Sequence, residues 1–153
     1  MSITPRKVEE NARWQCVEVI TSALQTISKA TGYNTSPMVT RDRRKIKDTP
    51  EQFSLCVEEG YESPADVHTH DLEITVSGYI EIKDLDPVKA RCALLQDVRT
   101  AIMGDLRALA GQIGTGAHVA LGRCETDEGM FTDAGWAVFE QTFEIRYPQG
   151  AIW

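Results

Sequence analysis

Leu72-Glu73-Ile74-Thr75-Val76-Ser77-Gly78-Tyr79-Ile80-Glu81-Ile82-Lys83 alternates apolar and polar side chains almost without a break. Successive side chains of a strand point to opposite sides of a sheet. Leu72, Ile74, Val76, Ile80 and Ile82 therefore share one face, and Glu73, Thr75, Ser77, Tyr79, Glu81 and Lys83 share the other. One face is expected to be buried and the other to be wet or to meet a partner. Each buried branched side chain contributes roughly 1.5–3 kcal/mol. Gly78 interrupts the apolar row, which marks a bulge or a close backbone approach.

Working outward, Phe53, Leu55 and Val57 alternate with Ser54 and Cys56, so a second strand is expected near 52–58. An acidic, turn-rich connection, 58–64, would join the two. Residues 38–40 read as a short strand. Upstream, a helix is expected from about Pro5 to Ala30, with Thr4 as cap and Pro5 in the first turn. Its stripe is Cys16, Ile20, Ala23, Ile27 and Ala30, widened by Val17 and Leu24. Gly32 is its stop. Downstream, Asp86 is a natural N-cap and Pro87 fits the first position of a second helix. That helix is expected to reach about Ala110, with Val88, Cys92, Leu95, Val98, Ile102, Leu106 and Leu109 inward and Gly111 at its end.

Two more strands, 118–125 and 136–147, are expected to pair as a hairpin around a polar turn region. Residues 1–153 thus read as one α+β domain in the order helix–strands–helix–strands. Its sheet would be mainly antiparallel, with two helices packed on one face. The βαβ alternation of a nucleotide-binding sheet is absent.

A chain of 153 residues, 42% apolar and 25% charged, is of the size and kind that folds as one globular domain without disulfide or metal. No run approaches the ~20 apolar residues of a membrane span, and the first residues lack the apolar stretch of a signal peptide, so synthesis and folding in a cytoplasm are expected. Cys16, Cys56, Cys92 and Cys124 form no C-x-x-C pair, which disfavours a zinc site and suggests four buried thiols. The net charge of −7 disfavours general affinity for nucleic acid. One local basic run stands out: Arg41, Arg43, Arg44, Lys45 and Lys47, broken only by Asp42 and Ile46. Such a run is ordinarily a solvated loop.

The sharpest candidate for chemistry is His68-Thr69-His70-Asp71. Histidines at i and i+2 on a strand point the same way, so both can ligate one metal. Further ligands would have to come from elsewhere, and the one other histidine is His118. A small metal-dependent enzyme using His68 and His70 is therefore an alternative, and ordinary polar residues at a strand entrance are the simpler reading. There is no P-loop, no G-x-G-x-x-G and no G-x-S-x-G. The Gly-rich stretch 111–116 follows a helix rather than a strand, the wrong context for a phosphate. No catalytic residue, metal or cofactor is assigned, and the chain is expected not to be an enzyme.

The whole pattern resembles the tail terminator (tail completion) proteins of long-tailed bacteriophages, the minor tail protein U type. The likeness lies in an N-terminal helix ending near Thr31-Gly32-Tyr33-Asn34-Thr35 and a strand leading into a variable loop, 38–47. It continues through Phe53-Ser54-Leu55-Cys56-Val57, the long strand 72–83, the helix 97–106 and the closing strand Phe143-Glu144-Ile145-Arg146-Tyr147. The resemblance implies a structural virion protein, made in the host cytoplasm. It would form a ring, usually hexameric, that caps the tail tube and ends its polymerisation. The ring would join the head-completion (stopper) proteins of the neck, with DNA passing through its channel and no sequence-specific DNA contact. An alternative is another head–tail connector or a tube protein. Subunit contacts of a closed ring run head to tail. Sheet edges and the apolar tail at Ile152 and Trp153 are expected to supply them. The basic residues Arg41, Arg43, Arg44, Lys45 and Lys47 are the expected contact to acidic tube or head surfaces, within a ring whose net charge keeps DNA from sticking.

Overall fold

The computed structural model describes residues 7–46, 52–127 and 135–148. Helix α1, Ala12–Gln25, starts where the Asn11 side chain accepts the Trp14 N–H at 3.1 Å. Thr4 and Pro5, the expected start, lie outside the described residues, but Val8–Glu10 form a separate 3-10 turn and Asn11 is extended, so the helix begins later than expected. The helix ends before Ala30 because local polar bonds compete with it. Thr26 Oγ1 donates to the Ala23 carbonyl at 2.6 Å, and Ser28 caps a separate 3-10 turn, Lys29–Thr31. Gly32 follows in the left-handed region at φ 93°. Cys16, Val17, Ile20 and Leu24 are buried as their spacing requires.

Five strands follow: β1 Met38–Thr40, β2 Phe53–Pro64, β3 Thr69–Glu81, β4 His118–Asp127 and β5 Trp136–Pro148. They form one sheet in the order β1-β2-β3-β5-β4. The sheet is mixed, not antiparallel throughout: β1 runs parallel to β2, Val39 facing Leu55. A parallel pair needs a crossover connection rather than a hairpin turn. The β4–β5 hairpin pairing is as expected.

β2 does not end at the acidic segment. It continues to Pro64 through a register shift between Glu59 and Glu62. Arg13 of α1 holds the irregular part: its Nε lies 2.8 Å from Glu59 Oε2, and Nη2 donates to the Gly60 carbonyl at 2.8 Å. On β3, Leu72, Ile74, Val76 and Ile80 are fully buried. Gly78 marks a close approach, since a Cβ there would lie 2.1 Å from Cε1 of Phe139 on β5.

The second expected helix is two helices, α2 Pro87–Met103 and α3 Leu106–Ile113. Asp86 caps α2 as expected, accepting from Val88 N at 3.0 Å. The chain breaks at Gly104, and Asp105 caps α3 by accepting the Ala108 N–H at 3.2 Å. Gly111 lies inside α3, which ends at Gly114. The inward stripe of α2 is Ala90, Leu94, Asp97, Val98 and Ile102; Val88 and Cys92 are exposed. Cys124 is exposed too, so only Cys16 and Cys56 are buried thiols.

The three helices cover one face of the sheet. One apolar cluster joins Ile20 and Leu24 of α1, Leu94, Val98 and Ile102 of α2 and Leu109 and Ile113 of α3 to Leu55, Ile74, Val76, Phe139, Phe143 and Ile145. Among the described residues no helix is long and apolar enough to cross a membrane.

Candidate functional site

The opposite face of the sheet is built differently. Strand register places Ser54, Cys56 and Glu58 of β2, Thr75, Ser77 and Tyr79 of β3, and Val138, Glu140 and Thr142 of β5 on it. Ile46, Cys56 and Val138 are buried yet stand apart from the main apolar cluster. Ser54 and Ser77 are fully buried, and neither hydroxyl has a hydrogen-bond partner among the described residues. An unpaired buried hydroxyl costs about 1–3 kcal/mol.

The basic segment lies over this face. A 3-10 turn, Arg43–Ile46, leaves β1. Arg43 Nε donates to Glu58 Oε1 at 3.0 Å, and Nη2 of the same guanidinium lies 4.0 Å from Glu140 on β5. Glu58 and Glu140 flank β3, so this side chain spans the middle strand near Thr75 and Ser77. The bond to Glu58 raises the Arg43 pKa, and burial raises that of Tyr79 and pushes the Cys56 thiol up to about 11. Arg41 turns the other way: it pairs with Glu18 of α1, donates to Thr21 Oγ1 at 3.3 Å and stacks 4.9 Å from the Trp14 ring centroid. Arg44 grips Asp42 through two bonds of 3.0 Å, which lowers the Asp42 pKa. Lys45 is exposed. Lys47, Ile152 and Trp153 lie outside the described residues.

Among the described residues of the basic run, Arg41, Arg43 and Arg44 are exposed yet each has an acidic partner within the chain. The partners of Arg41 and Arg43, Glu18 and Glu58, lie on other elements far along the chain, so spacing gave no sign of them, whereas Arg44 pairs with Asp42 two residues away.

Asp97 sets where the segment begins. Its buried carboxylate accepts Asn34 N at 3.1 Å, Asn34 Nδ2 at 2.9 Å, Thr35 N at 2.8 Å and Thr35 Oγ1 at 2.6 Å. These bonds tie the chain entering β1 to α2. A second buried polar anchor, Gln141, accepts from Arg99 Nη2 at 2.9 Å and donates to the Gly122 and Arg123 carbonyls, both at 3.2 Å. It stabilises the register shift of β4 between Leu121 and Cys124.

The two histidines do not share a strand. His68 sits in the β2–β3 turn, where its N–H and that of Thr69 donate to Asp66 Oδ1 at 2.6 and 2.9 Å. His70 lies on β3 and stacks on Tyr147, ring centroids 6.4 Å apart. Tyr147 donates to Glu62, and burial and that bond raise its pKa. Among the described residues no group of three or more His, Cys, Asp or Glu is placed to hold a metal ion.

Both edges of the sheet are open among the described residues. β1 pairs only with residues 54–56, so β2 beyond Cys56 has no strand on that side. β4 has no strand beyond it. Exposed apolar side chains sit along both: Tyr61 and Val67 at the β2 end, Leu121 on β4. No protein-family model matches this chain, and no curated protein matches it.

Proposed function

We propose that this chain is a structural, non-catalytic ring subunit of the tail-terminator kind, which caps a bacteriophage tail tube and presents a joining surface to neck proteins. The observation that carries this reading is the pair of unlike open edges. The end of β2 beyond β1 and the length of β4 differ in sequence and lie on opposite edges of the sheet. Contacts between unlike surfaces repeat around an axis, and a ring forms where the rotation closes. Tyr61, Val67 and Leu121 supply apolar area at those edges. The tail tube protein, the stopper protein and passing DNA follow from the same reading, as does a place in the virion neck. Arg41, Arg43 and Arg44 would then contact acidic partners by exchanging their internal carboxylates.

Size-exclusion chromatography with light scattering, followed by electron microscopy, tests the reading. A closed ring, free or on isolated tail tubes, is expected. A strict monomer that leaves tube ends bare overturns it. Leu121→Asp places a charge in the proposed contact and is expected to shift the ring to monomer without unfolding it.

A further inference from the structure

We propose that the segment after β5, 149–153, docks within its own chain and seats Ile152 and Trp153 in a groove between α3 and the start of β4. The groove measures about 750 Å³. Leu106 and Ala110 of α3 line it together with Ala117 and Val119 at the entry to β4, and Arg107 and His118 are exposed along it. Concave, mostly apolar sites of roughly 300–1,000 Å³ are the kind that take a compact apolar group. The occupant is indicated by where β5 delivers the chain. Arg146 pairs with His118 across the β4–β5 ladder, so β5 ends beside the start of β4. Pro148 Cγ lies 3.5 Å from the position a Cβ would take on Gly116, a residue that also lines the groove. The residues that follow Pro148, Gln149-Gly150-Ala151-Ile152-Trp153, carry no charged side chain and end on two large apolar ones. Extended, they span at most about 17 Å. A segment tethered at the lip of a groove meets it at an effective concentration that a separate chain does not match. Tryptophan has about 150–250 Å² to bury, and the Arg107 guanidinium is a cation of the kind that lies over an indole ring. The assignment does not depend on the ring: it gives the apolar tail to its own chain rather than to a neighbour.

Two measurements on the full chain test it. In the first, the exposed Cys92 and Cys124 are replaced by serine, and Ala110→Cys is combined with Ile152→Cys. The folded protein is oxidised with copper–phenanthroline and followed by non-reducing electrophoresis and peptide mass spectrometry. A bond between positions 110 and 152 of one chain is expected. Ala108→Cys in place of Ala110→Cys puts the thiol on the same helix at an exposed position that does not line the groove, and is expected to react about tenfold more slowly. Trp153→Ser in the first chain is expected to slow its bond severalfold. In the second measurement, Trp14→Phe and Trp136→Phe leave Trp153 as the one indole. Acrylamide is expected to quench its fluorescence severalfold less in the native chain than in denaturant, and Ala110→Glu, which puts a charge in the groove, is expected to remove most of that protection. Equal rates at positions 108 and 110 overturn the proposal, as does equal quenching of the native and unfolded chains. A 110–152 bond that joins two chains into a dimer also overturns it, because the tail would then sit on a second copy.

Discussion

The two faces of one sheet are sealed in opposite ways. On the helix side, Leu72, Ile74, Val76 and Ile80 meet three helices and are fully buried in a continuous apolar cluster. On the other side Arg43 of a four-residue turn reaches Glu58 and Glu140, and the buried groups of that face include two hydroxyls and a thiol. Both faces hold side chains with no exposed surface, yet burial does not mean the same thing on each. Apolar groups gain on leaving water, and hydroxyls without partners lose. The difference teaches that the helix side, with its apolar cluster, carries more of the stability than the outer side with its buried hydroxyls.

Predictions test that division from the strong side to the weak one. Phe143→Ala opens a cavity under the helices and is expected to destabilise the fold by about 3–5 kcal/mol in denaturant unfolding. An effect as small as that of Ser77→Ala would abolish the contrast. Gly78→Val drives a side chain into the buried Phe139 ring, whose Cε1 lies 2.1 Å from the added Cβ. The expected loss is about 1–3 kcal/mol, and Phe139→Ala in the same chain should recover part of it in a double-mutant cycle.

Alkaline pH gives a third test. Burial pushes the Cys16 thiol up to about 12 from its ordinary value of 9.0. The folded state therefore keeps a proton that the unfolded state releases. Stability is fully present below pH 9 and falls as pH rises toward 12, at up to about 1.4 kcal/mol per pH unit for this thiol. Cys16→Ala should flatten that slope in unfolding curves measured across the window, and an unchanged slope would remove Cys16 from the account. The smallest effect is expected from Ser77→Ala, neutral or stabilising by about 0–1 kcal/mol, because no bond is lost. A clear destabilisation there would show that the hydroxyl has a partner.

The alternation around Leu72 was legible because each residue reports its own face and strand geometry has a fixed period of two. The same logic placed Cys16, Ile20 and Leu24 inward on α1. It failed on α2, where Asp97 points inward and Val88 outward. Hydrophobicity puts a carboxylate outside unless four donors await it, and those donors come from Asn34 and Thr35, far along the chain. Continuing one stripe from Val98 to Leu109 failed for another reason: the break at Gly104 and Asp105 restarts the helix, and a period does not carry across it. The acidic end of β2 looked like a turn because the pairing that keeps it extended, with β3 and Arg13, is non-local.

The basic run shows the same limit at the candidate site. Its composition was plain, and the partners of Arg41 and Arg43 were not. By itself the sequence determined an α+β chain, the strand faces, the caps of α2 and the inward side of α1, all of which follow from the local periodicity of the backbone and from side chains bonding their neighbours. The tertiary structure alone decided the parallel β1, the broken second helix and the pairing of Arg41 and Arg43 with Glu18 and Glu58. These depend on which distant groups meet when the sheet closes, and no local pattern encodes that distance.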